Sequence, residues 1–521
     1  MVAGLMGKAG GWEWDAAFGS MGGRAHQRQQ FYRDRYAYYG AIVSGEYEFG
    51  QSNPRALLDK MFPMMGSDGK STESWLDFKA SKELFTLEGG PATLVLGADV
   101  RHESFLHKSM DNILQARIVQ FNGVSIDGSR NVSAAFAELN APITKKLEAD
   151  FALRADKSGP TDLEIIPKAN ASYLVNNQLK LRGTLSRGYR APSLPETGNG
   201  GASWFTGGDD PKRCAMANKM YDALMLGDAT DRSNALTAYY LGCEVGFPST
   251  VTPNTKLEPE RSKILSLGFV WQVGRDTSLT LDYWKVARSN EIDVRGSDYI
   301  LAHEDTNPSL VVRGAITPQD IELGKRASEL SGEKLGFAIG PVQGVRDQYS
   351  NITQTKVAGV DLKLQSAWNL GEYGRLNTSL DSTVRLDFRW FESDTQEFSA
   401  NYVGYRYYPK VVSNINASWS KNAWNIGLRA NLQSQRKLAW GARDTDNSIE
   451  GCAARKVSAD QCRLASDAVF NLYGSYSGFA QTRIGFNVFN LFNRPTQMEY
   501  RAGGPLPIRG RTLKLWADYR F

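Results

Sequence analysis

Long segments of strictly alternating apolar and polar residues constrain this chain more than any other feature. From Trp424 to Gln433 the even positions are Trp, Ile, Leu, Ala and Leu, and the odd positions are Asn, Gly, Arg, Asn and Gln. The same period recurs in Leu147–Asp156 and in the final segment Arg511–Phe521, where Trp516 is the exception. A period of two is typical of a β-strand with one apolar and one polar face. The chain is therefore predicted to be all-β.

The length of these segments indicates the environment in which the strands lie. We count about sixteen of them, with a partial further strand at Val2–Met6. Each is at least as long as the roughly 9–11 residues that a tilted strand needs to cross a bilayer, whereas ordinary strands average about 5–6 residues. Short turns such as Glu88–Gly90 alternate with long connections, which are Arg24–Lys70, Ala191–Lys256, Asp293–Gln343, Glu392–Tyr408, Gln435–Ser466 and Asn493–Gly510. This layout predicts an antiparallel transmembrane β-barrel with long extracellular loops.

Composition agrees with a barrel and excludes other classes. The 521 residues are 41% apolar and contain no run of 18 apolar residues, which excludes a helical membrane protein. Aromatic residues make up 11% of the chain, which a disordered protein would lack. The net charge of +5 is too small over this length to indicate a nucleic-acid partner. A soluble β-sandwich, barrel or propeller is the alternative, but its strands would be shorter and no blade repeat is visible.

Several tryptophans lie near the predicted strand ends. They are Trp12, Trp14, Trp390, Trp419 and Trp424. In a spanning barrel, aromatic residues at strand ends lie at the lipid–water boundaries. Packing beneath the loops is the alternative for each of them.

The long loops contain two predicted helices and all four cysteines. Pro54–Phe62 and Pro318–Leu330 are the predicted helices, the second with a Thr-Pro start. The cysteines fall in two loops, and pairing within each loop, Cys214 with Cys243 and Cys452 with Cys462, is favoured among three possible connectivities. Outside the cytoplasm such pairs persist as disulfides. Metal binding is the weaker alternative, because the spacings lack Cys-x-x-Cys.

No catalytic or cofactor motif emerges from the sequence. The four histidines, His26, His102, His107 and His303, are scattered. Neither a phosphate-binding loop nor a nucleophile elbow occurs. We therefore expect neither enzymatic activity nor a bound cofactor or metal.

Five segments together resemble TonB-dependent outer-membrane receptors, in the order in which that family has them. They are Ser186–Glu196 (SRGYRAPSLPE), Asn254–Ser262 (NTKLEPERS), Asn351–Asp361 with its Gly-Val-Asp, Asn487–Asn493 (NVFNLFN) and the terminal Tyr519–Phe521. The resemblance covers most of the chain, most clearly from Thr72 to Phe521. It implies a receptor barrel in the Gram-negative outer membrane that takes up a scarce nutrient using energy delivered by TonB.

The resemblance also implies partners and missing parts. Tyr519 and Phe521 match the carboxyl-terminal signal that the barrel-assembly machinery recognises, and the outer wall would contact lipid and lipopolysaccharide. The family's plug domain, TonB box and signal peptide are not visible, and about sixteen to seventeen strands fall short of 22. We therefore expect residues 1–521 to be a single barrel domain truncated at its amino terminus. A passive sixteen-stranded porin is the alternative, and a barrel enzyme is the third possibility.

Loop aromatics are the candidate ligand-binding residues. They are Trp204, Phe205, Tyr402, Tyr405, Tyr407, Tyr408 and Trp440, with Arg406 inside the tyrosine cluster. Aromatic faces stack on sugar or siderophore rings, and an arginine pairs with an anion. The alternative is that these residues pack within the loops or at the membrane interface. Siderophore-iron, cobalamin, carbohydrate and peptide ligands are not separable from the sequence.

Overall fold

The computed structural model describes residues 1–119, 121, 123–392, 396–439, 448–456, 458, 462–494 and 510–520. The first twelve strands are β1 (Val2–Ala9), β2 (Trp12–Gln29), β3 (Met65–Leu87), β4 (Gly90–Ser109), β5 (Val124–Ala141), β6 (Leu147–Ser158), β7 (Glu164–Asn176), β8 (Leu179–Arg190), β9 (Asn199–Gly208), β10 (Val245–Thr252), β11 (Glu260–Val273) and β12 (Thr277–Asp293). The others are β13 (Val311–Arg313), β14 (Val342–Gln348), β15 (Ser350–Asn369), β16 (Arg375–Glu392), β17 (Glu397–Phe398), β18 (Val411–Lys421), β19 (Trp424–Gln433), β20 (Arg436–Lys437), β21 (Arg463–Leu464), β22 (Asp467–Phe479), β23 (Thr482–Phe489) and β24 (Thr512–Tyr519).

In the described ranges, helices occur only in the connections between strands. They are α1 (Arg35–Val43), α2 (Arg55–Met61), α3 (Asp111–Leu114), α4 (Leu194–Thr197), α5 (Cys214–Leu224), α6 (Ala229–Tyr240), α7 (Ser297–Ala302), α8 (Pro318–Ser331) and α9 (Ile449–Ala454), with 3₁₀ turns at Pro308–Leu310 and Gly371–Tyr373. The two predicted helices are confirmed as α2 and α8. The helices α1, α5 and α6 were not predicted from the sequence.

Seventeen strands form one continuous antiparallel wall, as the sequence predicted. In spatial order they are β1 to β8, β11, β12, β15, β16, β18, β19, β22, β23 and β24. In the described part of the chain, β1 and β24 each pair with one neighbour and are the two edges of the wall. Because the number of strands is odd, β1 and β24 run in the same direction, and antiparallel pairing directly between them is geometrically excluded.

The two faces of the wall differ as the alternation predicted. One face exposes large apolar side chains such as Leu153, Leu185 and Leu267, and we call it the apolar face. The other, the polar face, carries charged pairs that cross between strands. In one of them Arg182 Nε donates to Asp282 at 2.8 Å.

Aromatic rings on the polar face cover glycines of the adjacent strand. Trp516 lies directly opposite Gly485, and Tyr473 directly opposite Gly427. A Cβ on either glycine would collide with the facing ring. Such cross-strand pairs stabilise a sheet and fix the register of its strands. They explain why Trp516 breaks the alternation, since its ring fills the space that the glycine leaves.

The first long loop is shorter than predicted. Strands β2 and β3 continue past Arg24 and Lys70, so that the connection between them is residues 30–64. The added part of the hairpin is polar on both faces, and Asp68 accepts hydrogen bonds from His26 at 2.8 Å and from Arg28 at 2.7 Å. A hairpin that extends beyond the bilayer has no lipid-facing side, and therefore no alternation to detect.

Two of the long connections fold together into a separate layer, which we call the cap (residues 194–259 and 294–349). Strand β9 pairs with the loop end of β5 and with β10, and β10 pairs in parallel with β14, which leads into β15. The paired strands β9, β10 and β14 therefore link β5 to the start of β15 across the cap, and the covalent connection from β14 to β15 closes the circuit with the wall.

The cap has a core of the kind found in soluble proteins. Helices α5, α6 and α8 bury Met220, Leu224 and Leu323 against one another. The disulfide between Cys214 and Cys243 lies at the edge of this core and joins the start of α5 to the segment after α6. The cap is thus stabilised by the burial of its own apolar side chains as well as by its pairing with the wall.

A buried ion pair lies inside the cap. Arg213 Nη2 lies 2.6 Å from Asp320 Oδ1, both side chains are fully buried, and the Arg213 guanidinium lies 3.7 Å from the Phe337 ring centroid. Burial alone would raise the pKa of Asp320, but hydrogen bonds from Arg213 and from the Thr317 backbone lower it. The pair therefore remains ionised in the apolar interior.

Candidate ligand-binding cavity at the loop end of the wall

A cavity of about 700 Å³ opens where four wall strands meet the loops. Its walls are Glu260 of β11, the end of β12 with the residues after it, the start of β15, the end of β16, and Tyr402. The residues that line it are Glu260, Arg288, Glu291, Ile292, Asp293, Val294, Arg295, Ile352, Thr353, Thr355, Trp390, Phe391, Glu392 and Tyr402.

Carboxylates of the cavity are held by defined partners. Glu260 is buried and accepts hydrogen bonds from Arg190 Nη2 at 2.5 Å and from the Ile292 backbone N–H at 2.9 Å. Arg190 also donates to Glu196 at 2.9 Å. The Glu260–Arg190 pair joins the loop ends of β8 and β11, and Glu196 ties them to the first turn of the cap.

A bulge in β12 directs a second carboxylate into the cavity. The pairing of β12 with β15 shifts register between Arg288 and Glu291, and Asn290 there has a φ of 56°. A bulge inserts an extra residue and re-aims the side chains beyond it. Glu291 is consequently buried, lies 2.6 Å from Arg288 Nη2, and accepts a hydrogen bond from the Thr355 hydroxyl.

One cation of the cavity has no acidic partner among the described residues. Arg295 is half-buried, and no carboxylate of the described residues lies within 4.0 Å of its guanidinium nitrogens. The nearby acids Glu260 and Glu291 are already bonded to Arg190 and Arg288. Arg295 is therefore available to an anionic group that enters the cavity.

Aromatic rings line the cavity together with these charges. The Trp390 and Tyr402 ring centroids are 3.8 Å apart, and beside them Phe388 stacks on Tyr408 at 4.3 Å. Burial raises the pKa of the Tyr408 hydroxyl. The cavity thus combines aromatic faces, a free cation and fixed carboxylates.

A second bulge brings Trp390 to this position. The register between β15 and β16 shifts at Ala358/Gly359, so that Phe388 and Trp390 lie on the polar face. The expectation that Trp390 lies at the lipid–water boundary is therefore wrong. Trp424, in contrast, is half-exposed on the apolar face near a short turn, as a boundary residue would be.

The predicted ligand-binding residues fall into two groups. Tyr402, Tyr405 and Tyr408 lie in the aromatic cluster beside the cavity, with Tyr405 beneath Lys437 at 4.4 Å. Arg406 is buried and Tyr407 is exposed.

Trp204 and Phe205 lie elsewhere, on β9 of the cap. Trp440 lies outside the described residues. The sequence analysis missed Glu291 and Arg295, although an Asn inside a strand pattern is the signal that would have indicated the bulge.

The other predicted special residues are located as follows. The disulfides Cys214–Cys243 and Cys452–Cys462 are both present, which confirms the local connectivity. Asp209 lies beside the first disulfide, and this is the only grouping of three potential metal ligands in the ranges that the structure describes; both of its thiols are oxidised. Tyr519 is exposed at the end of β24, and its hydroxyl donates to Gln481 at 3.0 Å. Phe521 lies outside the described residues.

Solved structures that resemble this fold include siderophore receptors. The siderophore receptor PirA from Acinetobacter baumannii matches with a TM-score of 0.60 at 13% identity, over 100% of this chain and 62% of that one. A mutant of the ferric enterobactin receptor PfeA from Pseudomonas aeruginosa, in complex with enterobactin, matches with 0.59 at 14% identity, over 99% and 61%. FpvAI in its complex with pyocin S2 matches with 0.56 at 11% identity, over 99% and 56%. The chain thus spans about three fifths of the length of these receptors.

Two further comparisons concern the sequence. No curated protein matches it. In the part of the chain that is described, no helix is both long and apolar enough to cross a membrane. The family model of the TonB dependent receptor-like β-barrel matches residues 7–491. That family consists of outer-membrane transport receptors rather than enzymes, and this chain belongs to it.

Proposed function

We propose that this chain forms the barrel of an outer-membrane receptor that binds a ferric siderophore at the cavity and imports it with energy from TonB. The single observation that carries the proposal is the presence, in one cavity at the loop end of the polar face, of the Trp390 and Tyr402 rings and of Arg295, which has no acidic partner among the described residues. A catecholate siderophore offers flat rings and negative charge, which suit aromatic stacking and a guanidinium respectively.

The rest of the barrel supports passage rather than chemistry. The polar face presents charged and amide side chains that keep a path hydrated. The wall's apolar face suits the hydrocarbon of the bilayer, and the cap braces the loop end of the strands. Uptake requires that binding be released by an energy input, which in this proposal TonB supplies through a plug domain.

The same proposal has structural requirements. Seventeen alternating strands close into an antiparallel barrel only if an odd number of further strands is added. We propose that residues 1–521 are one barrel domain of a longer receptor that supplies those strands and the plug. The barrel-assembly machinery would recognise the end of β24, and outer-membrane lipid would surround the apolar face.

Binding measurements test the site directly. The gene product that contains this chain, purified in detergent, is titrated with ferric enterobactin, a ferric trihydroxamate, cobalamin and maltohexaose while tryptophan fluorescence is followed. We expect the ferric catecholate to bind most tightly. Trp390→Leu should weaken binding about tenfold or more, since buried aromatic anchors carry most of the binding energy, and Arg295→Gln should weaken it by a similar factor.

Trp424→Leu is the matched control, because it removes a tryptophan from the apolar face near a short turn. It should leave the dissociation constant unchanged. Equal weakening by both tryptophan variants would contradict the site. Preferential binding of cobalamin or maltohexaose would contradict the proposed ligand class.

A further inference from the structure

One arginine on the polar face of the wall has no counter-ion among the described residues. Arg429 of β19 is exposed, it donates no hydrogen bond to a described residue, and no described carboxylate lies within 4.0 Å of its guanidinium nitrogens. Two arginines on the far side of the wall are bound to acids instead: Arg154 Nη2 lies 2.8 Å from Asp99 Oδ2, and Arg182 pairs with Asp282. Arg429 therefore differs from them in having its charge uncompensated.

The side chains next to Arg429 on this face are neutral amides. They are Asn416 of β18 and Asn471 of β22, which lie directly opposite it on either side, and Asn414 of β18 with Asn431 of β19, which lie opposite each other one step nearer the loop end. An amide group donates hydrogen bonds without adding charge. The surroundings of Arg429 therefore suit an anion and contain no competing carboxylate.

Hydrogen bonds orient these amides. Asn471 Nδ2 donates to Asn431 Oδ1 at 3.4 Å, and Asn431 Nδ2 in turn donates to Asn414 Oδ1. The Tyr473 hydroxyl donates to Asn416 Oδ1 at 3.0 Å. The oxygens of Asn414 and Asn416 thus already accept hydrogen bonds, whereas their N–H groups have no acceptor among the described residues. Two amide donors and a guanidinium are therefore left for an incoming oxyanion.

The acid in the same part of the polar face belongs to another pair. Asp381 of β16 lies directly opposite Asn414, and its carboxylate is 3.9 Å from Lys363 Nζ. Strand β18 separates β16 from β19, which at the usual strand spacing places β16 and β19 about 10 Å apart. Asp381 therefore does not neutralise Arg429.

Arg429 lies near mid-height of the wall. Strand β19 starts at Trp424 next to a short turn, and Arg429 is five residues further on. At about 3.3 Å per residue and a tilt near 40°, this places it about 13 Å above the turn end, and the apolar band of such barrels is about 25 Å tall. Trp390 of the cavity, by comparison, is fifteen residues from the start of its strand at Arg375. Arg429 is thus well below the cavity, at the level of the bilayer centre.

We propose that Arg429 and the N–H groups of Asn414 and Asn416 form a binding site for an oxyanion, which the negatively charged cargo occupies on its way down the polar face. Hydrogen bonds from a guanidinium to an oxyanion are charge-assisted and strong. Passage requires binding that is favourable enough to draw the anion in and weak enough to release it. A single cation among neutral amides meets both requirements. The anion site follows from these contacts, whereas its role in uptake rests on the proposed function.

Thiol labelling tests the anion site without any siderophore. All four cysteines of the chain are in disulfides, so Ser418→Cys, one diagonal step from Arg429 on β18, supplies its free thiol. In the gene product that contains this chain, the thiol reacts with anionic 2-sulfonatoethyl methanethiosulfonate or with cationic 2-trimethylammonioethyl methanethiosulfonate. Because both reagents attack the same thiol, the ratio of their rates cancels differences in accessibility. Arg429→Gln should lower the anionic-to-cationic ratio about tenfold, from the loss of one charge about 8 Å away.

Two further variants sharpen this test. Asn416→Asp places a carboxylate directly opposite Arg429 and should lower the ratio as much as Arg429→Gln does. Arg187→Gln is the matched control, because it removes an exposed arginine from the apolar face, and it should leave the ratio unchanged. An unchanged ratio in Arg429→Gln, or an equal fall in Arg187→Gln, would overturn the proposal. Absence of reaction with either reagent would mean that another part of the receptor covers the site, and would overturn it too.

Uptake kinetics test the role of the site in passage. Arg429→Gln should lower the maximal rate of ⁵⁵Fe-labelled ferric enterobactin entry about fivefold, the usual loss when one hydrogen-bonding partner is removed. Its dissociation constant for ferric enterobactin should stay that of the unmodified protein, because the cavity is intact. An unchanged maximal rate would overturn the role in passage. If the unmodified protein takes up no ferric enterobactin, the proposed function fails, and the labelling ratio still decides whether the anion site exists.

Discussion

Removing the carboxylate of Asp320 should loosen the cap without affecting the wall. Asp320 and Arg213 are both fully buried and lie 2.6 Å apart. Removing one partner of a buried pair leaves an uncompensated charge and costs about 3–5 kcal/mol. Asp320→Ala should therefore lower the opening free energy of α8 by about that amount.

Native-state hydrogen exchange measures this quantity at individual amides. Amides of α5 and α8 should lose protection in Asp320→Ala, whereas amides of β11 and β12 should keep theirs. Glu329→Ala is the matched control on the same helix, because Glu329 pairs with Arg326 at 3.4 Å with both side chains about half-exposed. Such exposed pairs contribute about 0–1 kcal/mol.

Asp320 also accepts a hydrogen bond from the Thr317 backbone at the start of α8, at 2.9 Å. Loss of this cap contributes about 1 kcal/mol to the effect of Asp320→Ala. Arg213→Met breaks the ion pair and retains the helix cap, so it isolates the ionic contribution. Unchanged protection of α8 in both variants would refute the reasoning, as would an equal loss in Glu329→Ala.

Three other predictions follow from the same structure. Since folding lowers the pKa of Asp320, the carboxylate should stabilise the cap fully at pH values above its ordinary pKa of 3.8, and this stabilisation should be lost as the pH falls below that value. Hydrogen exchange of α8 measured against pH checks this, and a pH profile identical to that of Asp320→Ala would contradict it. Reduction of the Cys214–Cys243 disulfide, whose cysteines are 29 residues apart, should destabilise its loop by about 3.6 kcal/mol, and reduction of Cys452–Cys462, whose cysteines are 10 residues apart, should destabilise its loop by about 2.7 kcal/mol. Equal losses of stability in variants that lack one or the other disulfide would contradict the dependence on loop length. Gly427→Val should clash with the tyrosine ring opposite and lower wall stability by about 1–3 kcal/mol, whereas Gly246→Val, which has open space, should be tolerated; denaturant unfolding compares the two, and equal stability would refute the clash.

The alternation predicted the wall because a membrane imposes a different solvent on each face of every strand. The seventeen wall strands were predicted closely for that reason. The rule failed where that asymmetry ends, as in the polar extension of the β2–β3 hairpin and at Trp516, whose ring covers Gly485 rather than facing lipid.

The candidate site was predicted only in part. The sequence located the tyrosines around Tyr402, but the cavity depends on two bulges that reverse the faces of Trp390 and Glu291. A bulge shifts the register by one residue. Periodicity alone does not indicate this shift when the residues on both sides of the bulge are a mixture of polar and apolar ones.

The cap could not be predicted for a different reason. Its core joins α5 and α6 of one connection to α8 of another, about a hundred residues apart, and the Arg213–Asp320 pair spans a sequence separation of 107. Nothing local in either loop indicates the partner. The disulfides were predictable because each closes within a single loop.

Energised uptake tests the central claim most directly. The gene product that contains this chain is expressed in a Gram-negative strain that lacks its own siderophore receptors, and entry of ⁵⁵Fe-labelled ferric enterobactin is followed with and without a functional TonB. The account predicts saturable uptake that disappears without TonB and is strongly reduced by Trp390→Leu. Uptake that is linear in concentration and unchanged by loss of TonB would mean a passive channel and would contradict the account.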